Sequence, residues 1–206
     1  NMCGRITFTL DKTDLITILK DRYDIEEEDI DYYLPRYNIA PTNQVLAIIN
    51  DGKKNRIGPL KWGYVPHWAK DSKFMAINAK AETIDEKPMF KDAFRRQRCI
   101  ILADGFYEWQ KFGNQKLPHR IILNDSKLMV FAGLWNANIL EDGTKQFTCT
   151  ILTTNPNDLM KNIHDRMPVI LNEETEKLWL NPRISDLELL KSLLVPYPDT
   201  KMTAYR

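Results

Sequence analysis

The chain has 206 residues and a formal net charge of +1, with 43% hydrophobic and 28% charged residues. That composition belongs to an ordinary globular protein, long enough for one domain with a sizeable core or at most two small ones. It excludes an overall polycation and a membrane-spanning helix, because no apolar run approaches the ~20 residues of a bilayer span. No charged-then-apolar leader opens the chain, and a cytoplasmic location is expected.

In chain order, residues 4–10 alternate Arg5, Thr7 and Thr9 with Ile6, Phe8 and Leu10, the pattern of a half-buried strand. Asp11 is placed to cap a helix carrying Leu15, Ile18 and Leu19 on one face. Residues 21–31 hold seven acids and one Arg, a solvated stretch. Residues 45–50 and 56–62 flank Asp51-Gly52, a hairpin signal. Residues 88–97 read as a basic helix. Strands are expected at 99–103, 120–123, 128–135 and 147–153, separated by turns at Gly113-Asn114 and Asp142-Gly143. Asn155-Pro156 is expected to open a short helix with Pro at its first position. Residues 175–180 read as helix, and Ser185-x-x-Glu188 as the capping box of another. Many strands joined by turns, with helices at the periphery, predict an α+β fold built on a mainly antiparallel, barrel-like sheet.

The three cysteines, Cys3, Cys99 and Cys149, are far apart and odd in number. They predict neither a disulfide framework nor a zinc site, and a reducing compartment fits them. Cys99 and Cys149 sit in apolar runs and read as buried hydrophobes. Asn1 precedes Met2, so Met2 reads as the natural initiator and residues 2–206 as one domain. Cys3 is then the second residue of the natural chain. Charge is uneven: residues 53–98 hold twelve Lys/Arg against five Asp/Glu. Such asymmetry marks either a nucleic-acid surface or two solvated faces.

Four short segments carry candidate chemistry. If Met2 is removed, Cys3 offers an α-amine and a thiol on adjacent carbons. The amine, with a pKa near ~8, attacks an aldehyde to give an imine, and the thiol closes on the imine carbon as a thiazolidine. An internal cysteine has only an amide nitrogen and cannot do this. The plain alternative is a frayed terminal residue. In Gly105-Phe106-Tyr107-Glu108-Trp109, Glu108 stands among residues that prefer burial, where a carboxyl gains a raised pKa and acts as general acid or base. The alternative is a strand with Glu108 facing water. In His164-Asp165-Arg166-Met167-Pro168, a loop histidine is placed to shuttle a proton or support an oxyanion; the alternative is a surface His beside a charged pair. In Asn78-Ala79-Lys80-Ala81-Glu82-Thr83, Asn78 can orient a polar group, and Lys80 shares its face in an extended segment; the alternative is a polar loop. Trp62-Gly63-Tyr64-Val65-Pro66-His67-Trp68 is bent by Gly and Pro. Trp62 is expected in the core and Trp68 at least partly exposed, as a stacking platform for an unpaired base.

Taken together, these segments resemble the SRAP family (SOS response-associated peptidase, the abasic-site shield). Met2-Cys3-Gly4-Arg5, Arg36-Tyr37-Asn38-Ile39-Ala40-Pro41-Thr42, Trp62 to Pro66, the Asn78 to Thr83 run, Ala103 to Trp109 and His164 to Pro168 match in family order. The resemblance implies that Cys3 is the crosslinking cysteine and that Asn78, Glu108 and His164 complete the active site. It implies that Arg5, Pro41, Lys80 and the loop around Trp68 contact DNA. Arg95, Arg96 and Arg98 are expected to add sequence-independent backbone contacts. The implied partner is single-stranded DNA containing abasic sites, bound by a monomer without metal or organic cofactor. The implied reactions are a thiazolidine crosslink, cleavage of the bond before Cys3, and a lyase-type side reaction. Lys80 stands where many members have Arg, and Ala69 where some have a second Trp. A cysteine hydrolase built from Cys3, His164 and Glu108 or Asn78, or a plain single-strand-binding module, are the competing classes.

Overall fold

A computed structural model of the chain describes residues 3–26, 30–69 and 74–206. The acidic residues 27–29 of the expected solvated stretch lie outside these. In chain order the first half contains β1 (Ile6–Phe8), α1 (Lys12–Tyr23), β2 (Arg36–Ile39), β3 (Gln44–Asn50), β4 (Asn55–Trp62), β5 (Asn78–Lys80), α2 (Lys91–Arg96) and β6 (Arg98–Ala103). The second half contains β7 (Gly105–Phe112), β8 (Gln115–Leu123), β9 (Met129–Ile139), β10 (Lys145–Thr154), α3 (Asp158–Lys161), β11 (Met167–Pro168), β12 (Ile170–Leu171), α4 (Glu173–Leu180), α5 (Leu187–Ser192) and β13 (Met202–Tyr205).

Five of these strands close into a barrel. The pairs β4–β3, β3–β6, β6–β9 and β9–β10 are antiparallel. The ring closes where β10 meets β4 in parallel, with Cys149 opposite Trp62. Closure leaves no free edge among the five strands, so their backbone donors are used internally. The barrel strands supply much of the core, including Leu46, Ile48, Ile101, Phe131 and Ile151, all fully buried. Cys99 and Cys149 are buried there as well. A second sheet, ordered β13-β8-β7-β1-β2, packs beside the barrel. Mainly antiparallel sheets with peripheral helices make the α+β class that the strand pattern predicts.

The helix ends differ from the sequence reading in informative ways. Asp11 does cap α1, accepting the Asp14 N–H at 2.8 Å, and α1 buries Leu15 and Leu19 while Ile18 is half-buried. Helix α2 starts at Lys91, because residues 87–90 form a tight turn with Pro88 in its second position. Helix α3 begins two residues after Pro156: the Asn157 side chain accepts the Met160 N–H at 2.9 Å and sets the start there. Asp186, not Ser185, caps α5, accepting from Glu188 and Leu189, since a carboxylate also complements the helix dipole. Among the described residues, no helix is long and apolar enough to cross a membrane.

Candidate functional site

The site begins with the pairing of β1 and β7. Ile6 faces Phe106 and Thr7 faces Gly105, and the Tyr107 N–H donates to the Arg5 carbonyl at 2.9 Å. The ladder ends at Arg5, and Cys3 lies at a bend just beyond it, close enough for the charge of Glu108 to act on its thiol. Side chains on a strand alternate, so Glu108 points to the same side as fully buried Phe106. It is 4% exposed, and the alternative of a water-facing carboxylate is therefore overturned. Burial raises the Glu108 carboxyl from its usual 4.5 to about 7, partly opposed by the Trp109 N–H and reinforced by the charge of Asp165. Cys3 is 1% exposed. Its burial, followed by the charge of Glu108, holds the thiol well above its usual value of 9.0, against a smaller opposing pull from the Arg5 backbone.

His164 follows α3, with its N–H bonded to the Met160 carbonyl at 2.8 Å. Its Nε2 lies 4.0 Å from Glu108 Oε1. The Arg166 backbone N–H donates to Nδ1 at 3.1 Å. That bond assigns the proton of the neutral ring to Nε2, on the side of Glu108. The Arg166 guanidinium fixes the loop, donating to both Glu82 carboxylate oxygens at 2.6 and 3.0 Å and to Thr153 Oγ1 at 3.2 Å. Asn78 opens β5, which runs parallel to β10 with Asn78 opposite Ile151. Its amide donates to the Ile77 carbonyl at 3.0 Å. Asn78 Oδ1 and Glu108 Oε2 are buried without a hydrogen-bond partner among the described residues. Buried acceptors are mostly paired, so both are groups with bonding capacity to offer a substrate.

Glu108 and His164 open into a cleft of about 1040 Å³, also lined by Gly4, Arg5, Pro41 and Lys80. Its walls carry six cations, Arg5, Lys80, Lys111, Lys116, Lys161 and Arg166, against two acids, Glu108 and Asp165. A cleft with such a balance concentrates anions. Arg5 is braced by Asn38 Oδ1 at 3.0 Å. Cys3 and Asn78 are buried and do not line the open wall; Cys3 directly precedes Gly4, and Asn78 sits two residues before Lys80 on the same strand. Among the described residues, no group of three or more His, Cys, Asp or Glu is placed to hold a metal.

The remaining expected DNA contacts lie outside the cleft. Trp62 is fully buried, with its Nε1–H on the Ile77 carbonyl at 2.9 Å. Trp68 is 48% exposed and meets Phe74 edge-on at 5.1 Å between centroids. Buried polar side chains of the barrel hold its loop: Thr148 accepts the Val65 N–H, and Asn136 and Asn138 donate to the Val65 and Pro66 carbonyls. Arg95 and Arg96 are exposed on α2, away from the cleft wall. Arg98 corrects the sequence reading. It is 6% exposed, and its guanidinium donates to the carbonyls of Phe94, Arg95, Trp179, Asn181 and Ile184. Helix ends leave carbonyls unpaired, and Arg98 satisfies those of α2 and α4.

The family model for SOS response associated peptidase (SRAP) matches residues 2–206. The chain belongs to the SRAP family. It is 48% identical over 214 residues to the abasic site processing protein YoqW of Bacillus subtilis, covering all of this chain and 92% of that one. It is 33% identical to the abasic site processing protein YedK of Escherichia coli, over 91% of this chain and 83% of that protein. The crystal structure of a protein from Bacteroides thetaiotaomicron superposes with a TM-score of 0.85 at 28% identity, covering 98% of this chain and 91% of the other. This SRAP chain adds cleft residues that the sequence reading did not single out: Lys111, Lys116, Lys161 and Arg166. Lys111 and Lys116 stand directly opposite each other across the β7–β8 hairpin. Two like charges in register weaken a hairpin, and two lysines equally spaced about the Gly113-Asn114 turn were the available signal.

Proposed function

We propose that the chain captures abasic sites in single-stranded DNA by forming a thiazolidine through Cys3 once its amine is free. Relatives named abasic site processing proteins support the substrate class. The observation that carries the chemistry is Glu108, a buried carboxyl held at about 7, 4.0 Å from His164 and beside Cys3. Near neutral pH such a group gives and takes protons with comparable ease. Glu108 delivers the proton that opens the abasic sugar to its aldehyde. The Cys3 amine adds to the aldehyde carbon, one water leaves as the imine forms, and the thiol adds to that carbon while its proton passes to nitrogen. His164 hydrogen-bonds the sugar oxygen, and Asn78 Oδ1 holds the sugar or the amine. Arg5, Lys80 and the Lys111–Lys116 pair take phosphates, and Trp68 with Pro41 receives neighbouring bases.

In the sequence as it stands Asn1-Met2 precede Cys3. In this reading the same carboxyl and thiol cleave the bond before Cys3, and an imine that fails to close leads to strand cleavage. The protein acts as a monomer in the cytoplasm, on the nucleoid when bound to DNA. Incubation of an abasic oligonucleotide with a chain beginning at Cys3, followed by a denaturing gel, separates this reading from its rivals. A heat-stable shifted band is expected. A cysteine hydrolase or a plain single-strand binder gives none.

A further inference from the structure

We propose that Asp165 is the outer end of a proton path that runs through the His164 ring to Glu108. The inference deepens the reading above and rests on it. His164 Nδ1 has two neighbours of opposite character: the Arg166 backbone N–H at 3.1 Å and the Asp165 Oδ1 at 3.2 Å. An unprotonated Nδ1 accepts from the first, and a protonated Nδ1 donates to the second. The ring is therefore supported in both states without turning. Its other nitrogen faces Glu108 Oε1 at 4.0 Å. That is about 1 Å beyond ordinary reach, a gap of the kind that closes when a substrate is bound.

Exposure grades along the same line. The Asp165 side chain is 90% exposed, that of His164 15% and that of Glu108 5%. The three thus connect bulk water to a buried carboxyl. The cleft that holds the ring is lined by the cations Arg5, Lys80, Lys111, Lys116, Lys161 and Arg166, with Asp165 and Glu108 as its acids. Of the three, Asp165 is the group that solvent reaches freely.

The transfer balances simply. A solvent acid gives a proton to the Asp165 carboxylate, which passes it to Nδ1, and the resulting imidazolium bonds the restored carboxylate. The Nε2 proton then passes to the Glu108 carboxylate, leaving a neutral ring. A proton that Glu108 later takes from the sugar leaves by the reverse route. Asp165 touches no substrate in this scheme; it is a positioning residue that acts through His164.

The test uses Asp165→Asn in a chain beginning at Cys3, with saturating abasic single-stranded oligonucleotide. Crosslinking at pH 7 is expected to slow roughly 10–100-fold, the lower part of the range for general acid–base catalysis. End-point yield should be unchanged. Added imidazole or formate buffer should restore the rate in proportion to its concentration, whereas the unsubstituted chain should be insensitive to buffer. An unchanged rate for Asp165→Asn overturns the path. So does a slow rate that buffer does not restore, since that marks a purely structural effect. Failure of the unsubstituted chain to crosslink removes the covalent reading and the path with it; failure confined to the variant comparison removes only the path.

Discussion

Burying Glu108 should cost stability, and the cost should depend on pH in a defined window. Each tenfold change in acid dissociation is worth about 1.4 kcal/mol, so a carboxyl moved from 4.5 to about 7 carries a penalty of roughly 3 kcal/mol in its charged form. Between these two values the folded chain holds a proton that the unfolded chain has released, so stability falls as pH rises. Below 4.5 both states are protonated and the penalty vanishes; above about 7 it is fully present. Glu108→Gln removes the titration. Its amide brings its own desolvation cost, so the informative quantity is how the difference between variant and wild type changes with pH. Relative to wild type, the variant should gain roughly 3 kcal/mol on going from pH 4.5 to pH 8. For a chain of this length that corresponds to roughly 6–12 °C in melting temperature. Thermal and urea unfolding at a series of pH values measures it. Parallel stability curves for the two proteins would mean that Glu108 titrates as an ordinary exposed carboxyl and carries no burial penalty.

Other outcomes follow from the same geometry. Glu108→Gln should slow crosslinking roughly 10²–10⁴-fold, while Cys3→Ala with a free amine should give an imine trapped by borohydride and lost on heating; a gel time course with and without reductant checks both. Arg5→Ala and Lys80→Ala should weaken single-strand binding at every sequence and reduce the salt slope by about one each. Arg98→Ala should leave binding unchanged and destabilise the fold by roughly 2–3 kcal/mol, since several buried carbonyls lose a charged donor; salt-dependent binding and urea unfolding separate the cases. Trp68→Ala should cost ~1–3 kcal/mol of single-strand affinity if a base stacks there, read by anisotropy with undamaged oligonucleotide.

Much of the barrel was legible in the sequence because its strands are long, apolar and separated by Gly-containing turns. The short strands were legible only in part. β5, β11 and β12 span three, two and two residues, too few to show an alternation, yet β5 delivers Asn78 and Lys80. Glu108 is instructive for the opposite reason. Its neighbours advertised burial, but Cys3 comes near it only through the pairing of β1 with β7 and the bend that precedes β1, and neither is written in either segment alone. Arg98 misled because a basic run near a helix looks the same whether its guanidinium faces solvent or the ends of two helices. The Lys111–Lys116 pair shows its meaning only once the hairpin aligns the two lysines and the cleft opens beside them.

In the proposed function the amine of Cys3, freed from Met2, bonds to the abasic aldehyde together with its thiol. Intact-mass measurement tests it on two chains mixed with abasic single-stranded DNA, one beginning at Cys3 and one retaining Asn1-Met2. The chain beginning at Cys3 should give a heat-stable adduct equal to protein plus DNA less one water. The extended chain should give none until its mass first falls by the Asn-Met dipeptide. Equal and stable adducts from both, with the dipeptide still attached, would contradict the account.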